Sequence, residues 1–436
     1  MRPLPPFLSK FNLAPASQIR TNLVKLGMPT PTHHIDINQI DFIANPYAQL
    51  EILRNESPAY HDPVWDKTFF TRHADITSLL KDKRLGRTML HLYSREEIGW
   101  PPPDPRTKGF RGYQDNVFMD MEGKSHARIR SLVGKVFTPK RVESMRGRLE
   151  QTTHRLIDAV VADGKCDFVH AIAEPLPVAM IADLLGIPEA HRQNLRPWSN
   201  AIVKMYELGY TDEQVESANR AASDFMEMIG VLAEERRAHP QDDLISDLVQ
   251  VTEQGETLTE DELRATCIFL LNAGHEATVN GSSLGLRAMF QNPSQLETMK
   301  EAVYQNNIPL LKTAVDELLR YETPLPMFER YVLEDMEING VPLKRGSEVG
   351  LFYISGNRDS ARFERPDELI LSRQDNPLLT FGLGTHYCLG APLARLELQV
   401  LFSVLFKRLP NVRAAGEAQF AKGFVIRGLE NLPIEF

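Results

Sequence analysis

The sequence predicts a mainly α-helical protein with smaller β regions, and three observations carry that class. Between residues 141 and 250, apolar residues recur at helical spacing, through Leu149, Leu156, Ile157 and Val160, then Val178, Ile181, Leu184 and Leu185. Thr259 and Glu262 form a capping-box pattern, with no breaker until Asn292-Pro293. At about 1.5 Å per residue that stretch is about 45 Å long, enough to cross a whole domain. β-type residues are confined to short runs, at 64–71, at 332–350 and around Phe424-Val425-Ile426.

The chain has 436 residues and is 42% hydrophobic, so it can bury a large core. No Gly/Ser linker, low-complexity tract or repeat divides it. Residues 36–436 are therefore expected as one domain, preceded by a loosely packed arm over 1–35 that carries Pro3, Pro5 and Pro6. A net charge of −9 argues against nucleic-acid binding. Cys166, Cys267 and Cys388 show no paired spacing, which disfavours a disulfide scaffold or a cysteine-rich zinc site and fits a reducing compartment. No apolar run reaches about 18 residues, so neither a signal core nor a membrane span is expected, and the cytoplasm is the expected location.

In chain order, residues 46–84 read as helix, two short strands and helix. Residues 88–118 carry Trp100-Pro101-Pro102-Pro103-Asp104-Pro105 and scattered glycines, a pattern that forbids regular structure. Ser125–Phe137 reads as a helix with His126 and Arg130 four apart on one face. Lys and Arg occur eight times between Lys124 and Arg148, against one acid, Glu143. The pattern breaks over 206–214, between two helices. Glu317 and Arg320 share a helix face, and Asn339-Gly340 and Arg345-Gly346 mark turns between short strands.

Near the C-terminus, Cys388 sits in a glycine-rich loop, Phe381-Gly382-Leu383-Gly384-Thr385-His386-Tyr387-Cys388-Leu389-Gly390, directly before a helical pattern. Glycine admits positive φ and lets a flat group approach the backbone. Free N–H groups and the positive dipole end of the following helix favour thiolate over thiol. This F-x-x-G-x-x-x-C-x-G run, with His386, resembles the haem-binding loop of the cytochromes P450.

The resemblance covers about residues 40–436 and implies the P450 fold, with a long central helix over the haem and the cysteine loop on its proximal side. It implies haem b (iron protoporphyrin IX) ligated by Cys388, with Phe381, Gly382 and Gly390 forming the loop. His126, Arg130, Arg330 and His386 match partners of the haem propionates. Ala273-Gly274-His275-Glu276-Ala277-Thr278 resembles the oxygen-binding segment, with Ala273 and Gly274 against the haem and Glu276 and Thr278 as catalytic groups. The match departs at Ala277, where the family carries threonine. Thr278 lies one residue on, about 100° around the helix. Glu317 and Arg320 match the family's buried ion pair.

The implied function is monooxygenation, one atom of O2 entering a mostly hydrophobic small organic substrate. Ala277 raises substrate-assisted proton delivery. Electrons would come from a separate ferredoxin or flavodoxin with its reductase, steered by Lys124, Arg128, Lys135, Lys140 and Arg141. A monomer is expected. The pocket is expected from segments 88–118, 195–212, 268–278, 323–328 and 423–426, with Leu270, Leu325, Met327, Phe328, Phe424 and Val425 as lining. Two other readings remain open, a peroxide-using or oxidative-coupling haem-thiolate enzyme and a non-catalytic haem-binding sensor.

Overall fold

The computed structural model describes residues 35–206, 210–253 and 255–436. Apart from Ile35, the arm expected over 1–35 lies outside the described residues. The described chain forms two compact units. The first holds Gly86–Val142 and Val178–His275, and the second holds residues 35–85, Glu143–Pro177 and Glu276–Phe436.

The first unit is helical. Its longest complete helix, Asp212–Ala238, opens on a capping box in which the Thr211 hydroxyl accepts from Gln214 N and the Gln214 side chain accepts from Thr211 N. Val215, Ala218, Ala222, Phe225 and Ile229 recur every three or four residues and are buried. That face packs against helices Lys108–Gln114, Glu189–Val203 and Leu244–Gln250. The first of these corrects the reading of 88–118 as irregular. Asp104 accepts a hydrogen bond from Arg106 N, and Pro105 opens a short 3-10 turn that leads into the helix. Proline is tolerated at a first helical position, where its missing N–H has no partner to lose.

The second unit is built on a mixed sheet whose strands run in the order Ala59–Asp62, Lys67–Phe70, Glu348–Phe352, Met327–Val332. Lys67–Phe70 pairs in parallel with Glu348–Phe352, and the other two pairings are antiparallel. Alternation along the strands feeds two cores. Phe69 and Phe352 join Phe42, Leu50, Leu53 and Tyr60 on one face. Phe70 and Leu351 join Ile76, Leu79 and Tyr353 on the other. Gly350 is required here, since a Cβ would lie 2.4 Å from the Phe69 ring. Helices Ile308–Tyr321 and Ala391–Arg408 pack together in this unit.

The hairpin Met336–Ile338/Val341–Leu343 turns at Asn339 (φ 51°) and Gly340 (φ 81°), the two positive angles that its tight turn needs. The long helix runs Glu260–Gln291, and its capping box is present, with Glu262 N donating to Thr259 Oγ1 and Thr259 N to Glu262 Oε2. No helix among the described residues is long and apolar enough to cross a membrane.

Around 424–426 the expected β character is not found. Those residues form bends between strands Gln419–Phe420 and Leu429–Asn431. Gly423 turns at φ 115°, and Arg427, fully buried, pulls the segment inward by donating to Ile43 O (2.7 Å), Ala44 O (3.1 Å) and Glu322 Oε2 (2.7 Å).

Candidate active site

In the second unit the cysteine loop is held by its own backbone. Cys388 N donates to Phe381 O at 2.9 Å, and Gly382 N donates to Leu379 O at 2.7 Å. Gly382 and Gly384 take φ of 63° and 73°. At Gly384 a Cβ would lie 2.5 Å from the Leu80 carbonyl oxygen, so the loop rests directly on the end of helix His73–Lys81. A Cβ on Gly390 would lie 3.9 Å from Cys388 Sγ, and glycine leaves that side of the sulfur open. Cys388 is exposed, unlike most cysteines outside disulfides.

The loop is braced from two sides. The Arg395 guanidinium, one helix turn further on, lies 4.4 Å from the Phe381 ring centre. It donates to Asp316 Oδ1 (2.6 Å) and to the Tyr387 hydroxyl (3.3 Å). Behind the loop, Asn357 Nδ2 donates to Thr323 Oγ1 and Thr380 Oγ1, and Leu379 N donates to Asn357 Oδ1. Glu317 and Arg320 are both fully buried and meet through two 2.8 Å bonds. Arg373 Nε joins Glu317 at 3.0 Å, and Arg320 Nη1 donates to Asn357 O and Pro366 O at 2.7 Å. Every polar end of this pair is satisfied, which a buried pair requires.

Thr278 and Glu397 are both buried, 4% and 1% exposed, and Glu397 Oε1 has no hydrogen-bond partner among the described residues. Burial pushes the Glu397 carboxyl from 4.5 up to about 8, against the smaller lowering by Thr278. It is therefore largely protonated at neutral pH. Glu276 and Ala277 are half-buried.

Arg330 is buried in strand Met327–Val332, where its Nη1 donates to Glu329 O, and His386 is half-buried in the loop. Met327 and Phe424 belong to the second unit's core, Leu325 and Phe328 are half-buried, and Val425 is exposed.

In the first unit, helix Gly123–Val136 carries His126, buried, and Arg130, half-buried. Leu270 is buried, Ala273 is exposed in mid-helix and Gly274 has Ile181 3.1 Å from where a Cβ would stand. The basic segment is largely neutralised within this unit. Arg128 pairs with Glu262 and Glu256, Lys135 with Glu253, and Arg141 with Asp247 and Asp242. Lys124 and Lys140 stay exposed and unpaired among the described residues.

The residues present suit a haem. An exposed cysteine on a glycine loop can supply a thiolate, and no cluster of three or more His, Cys, Asp or Glu among the described residues offers a metal site of another kind. Glu397 and Arg395 are site residues that sequence reasoning missed, whereas Asn357 lies in the run that the resemblance assigns to the approach to the loop. The run Arg395-Leu396-Glu397-Leu398 reads only as an amphipathic helix, and its spacing from Cys388 was the one signal available.

Comparison with known proteins agrees with this geometry. A family model for cytochrome P450 matches residues 191–410. The chain is 35% identical over 412 residues to the polyketide-biosynthesis cytochrome P450 PksS of Bacillus subtilis, covering 90% of this chain and 96% of that protein. It is 31% identical to a steroid C26-monooxygenase of Mycolicibacterium smegmatis, covering 94% and 96%. Among solved structures, P450BioI in complex with an acyl carrier protein ligated to hexadec-9Z-enoic acid superposes with a TM-score of 0.82. That match has 33% identity and covers 91% of this chain and 99% of that one.

Proposed function

The chain belongs to the cytochrome P450 family, and from this we propose a haem-thiolate monooxygenase that places one atom of O2 into a mostly apolar small organic substrate. Electrons come from a separate ferredoxin or flavodoxin. The observation that carries the reading is Cys388, exposed on a glycine loop in which Gly390 adds no side chain beside its sulfur. When bound, a thiolate-ligated haem supplies O–O bond cleavage.

The chain's own residues do the rest. Cys388 Sγ would ligate the iron, and Asp316–Arg395–Phe381 fixes the loop that presents it. His126, Arg130, Arg330 and His386 would hold the propionates as cations or donors. Phe381, Gly382, Gly390, Ala273 and Gly274 would line the faces of the ring.

Glu397 holds a proton, since burial keeps its carboxyl protonated near neutral pH, and the buried Thr278 hydroxyl is its neighbour. Ala277 cannot carry that proton onward, because it has no donor. A hydroxyl of the substrate spans the gap, with Glu276 as a second proton source. Leu270, Leu325, Phe328 and Val425 are the apolar contacts this reading keeps for the substrate.

The test is the reduced carbon monoxide spectrum. Wild-type protein should absorb at the long-wavelength position that names the family, and Cys388→Ser and Cys388→His should lose that band. Retention of the band in both variants overturns the assignment.

A further inference from the structure

The first unit contains a chain of buried and half-buried polar side chains that the reaction does not use. Arg87 Nη2 donates to Asp120 Oδ1 at 3.2 Å, and the Gln114 amide donates to Asp120 Oδ2. Gln114 Oε1 accepts from the Tyr206 hydroxyl at 3.1 Å. The Tyr113 and Tyr206 hydroxyls lie 3.3 Å apart, and Asn272 Nδ2 donates to the Tyr113 hydroxyl at 3.4 Å. Asn272 is 4% exposed, and its Oδ1 accepts no hydrogen bond among the described residues.

Direction runs along this chain from one end. A carboxylate paired with arginine only accepts, so the Gln114 amide nitrogen faces Asp120 and its oxygen faces Tyr206. The single Tyr206 proton is then spent on Gln114. Tyr113 must donate its own proton to Tyr206, which leaves its oxygen to accept from Asn272. Every link is committed, and the open atom at the far end is an acceptor. Burial holds both phenols in the protonated form, raising Tyr113 to about 12 and Tyr206 well above its ordinary value. A buried amide oxygen without a donor is costly, and structures keep such atoms rarely.

The three segments that meet here are parts of 88–118, 195–212 and 268–278, the stretches expected to line the substrate pocket. On the long helix, Asn272 is flanked by half-buried Phe269 one turn earlier and by exposed Ala273. Phe110 packs edge-on against Tyr113 and Tyr206, so the surroundings are aromatic.

We infer that Asn272 Oδ1 is a specificity-determining acceptor, which selects an apolar substrate bearing a hydroxyl or N–H donor over one bearing only an acceptor. Tyr113 is the positioning residue that holds the amide in this orientation. The inference rests on the monooxygenase reading, since it makes the donor part of the substrate.

The probes are two matched sets: adamantanol, adamantanone and adamantane, and cyclododecanol, cyclododecanone and cyclododecane. Each is titrated by the haem spin-state change and, independently, by calorimetry. In at least one set wild-type protein should bind the alcohol about tenfold more tightly than the ketone, the scale of one hydrogen bond. Asn272→Leu, close in shape, should abolish that preference and leave hydrocarbon binding unchanged. Tyr113→Phe should narrow it by tightening the ketone, because the released amide can turn its nitrogen outward. An unchanged alcohol-to-ketone ratio in Asn272→Leu, or no preference in wild type with either set, overturns the inference. Loss of the wild-type carbon monoxide band overturns the monooxygenase reading instead, while the calorimetric ratio still decides the polarity of Asn272.

Discussion

Glu397 is a carboxyl whose charge the fold decides. Its folded pKa lies above the unfolded one, so the folded chain holds the proton more tightly. The stability this contributes is full below the ordinary value of 4.5 and is lost as pH rises through about 8. Melting temperature against pH should therefore fall over that window in wild type. In Glu397→Gln, which keeps the side chain's shape without an ionisable group, the fall should be much shallower. An equal slope in both proteins would show that the carboxyl is already ionised. Thr278→Ala should lower product formed per reduced cofactor several-fold. Substrate analogues without a hydroxyl should uncouple the native enzyme and be partly rescued by Ala277→Thr. At this scale the sequence was uneven. Cys388 could be read because glycines surround it, and Ala277 because it breaks a pattern. Glu397 and Asn272 could not, because an acid or amide inside a helix looks alike whether it faces water or a buried hydroxyl.

Among elements, the buried ion pair on helix Ile308–Tyr321 carries the largest expected effect. Removing the Glu317 carboxylate leaves Arg320 and Arg373 facing an empty centre, at a cost of about 3–5 kcal/mol. Glu317→Ala should give haem-free or insoluble protein, checked by the ratio of haem to protein absorbance after purification. Full haem content would show that the network is dispensable. Thr259→Ala should cost only about 1 kcal/mol, the loss of one cap, read as a small drop in the denaturation midpoint. Elements with local chemistry were legible. The Thr259-Glu262 box fixes where the long helix begins, and Asn339-Gly340 fixes a hairpin. The helix Lys108–Gln114 was hidden by the prolines before it, although one of them starts the turn that leads into it. The bends at 424–426 depend on Arg427 reaching residues 43 and 44, a contact that no local pattern reports.

For the molecule as a whole, charge bears on how electrons arrive. Three of the five basic residues expected to steer a partner are already paired within the first unit. Steering should fall to Lys124 and Lys140. Lys140→Glu should slow reduction by a ferredoxin at low salt, whereas Lys135→Glu should do less. Stopped-flow reduction at several ionic strengths separates them, and equal slowing by both would place the partner elsewhere. The anchoring of Arg427 has a different consequence, in the order of synthesis. Its guanidinium is the donor for the last carbonyls of helix Ile40–Ala44, and strand Lys67–Phe70 pairs with residues near 350. A ribosome adding about 5–20 residues per second needs some tens of seconds to pass from the first of these partners to the last. Through that interval the early strands of the second unit wait with open edges. A nascent chain stalled before Arg427 should remain protease-sensitive around residues 40–70, and a chain extended until Arg427 has left the ribosome should be protected there.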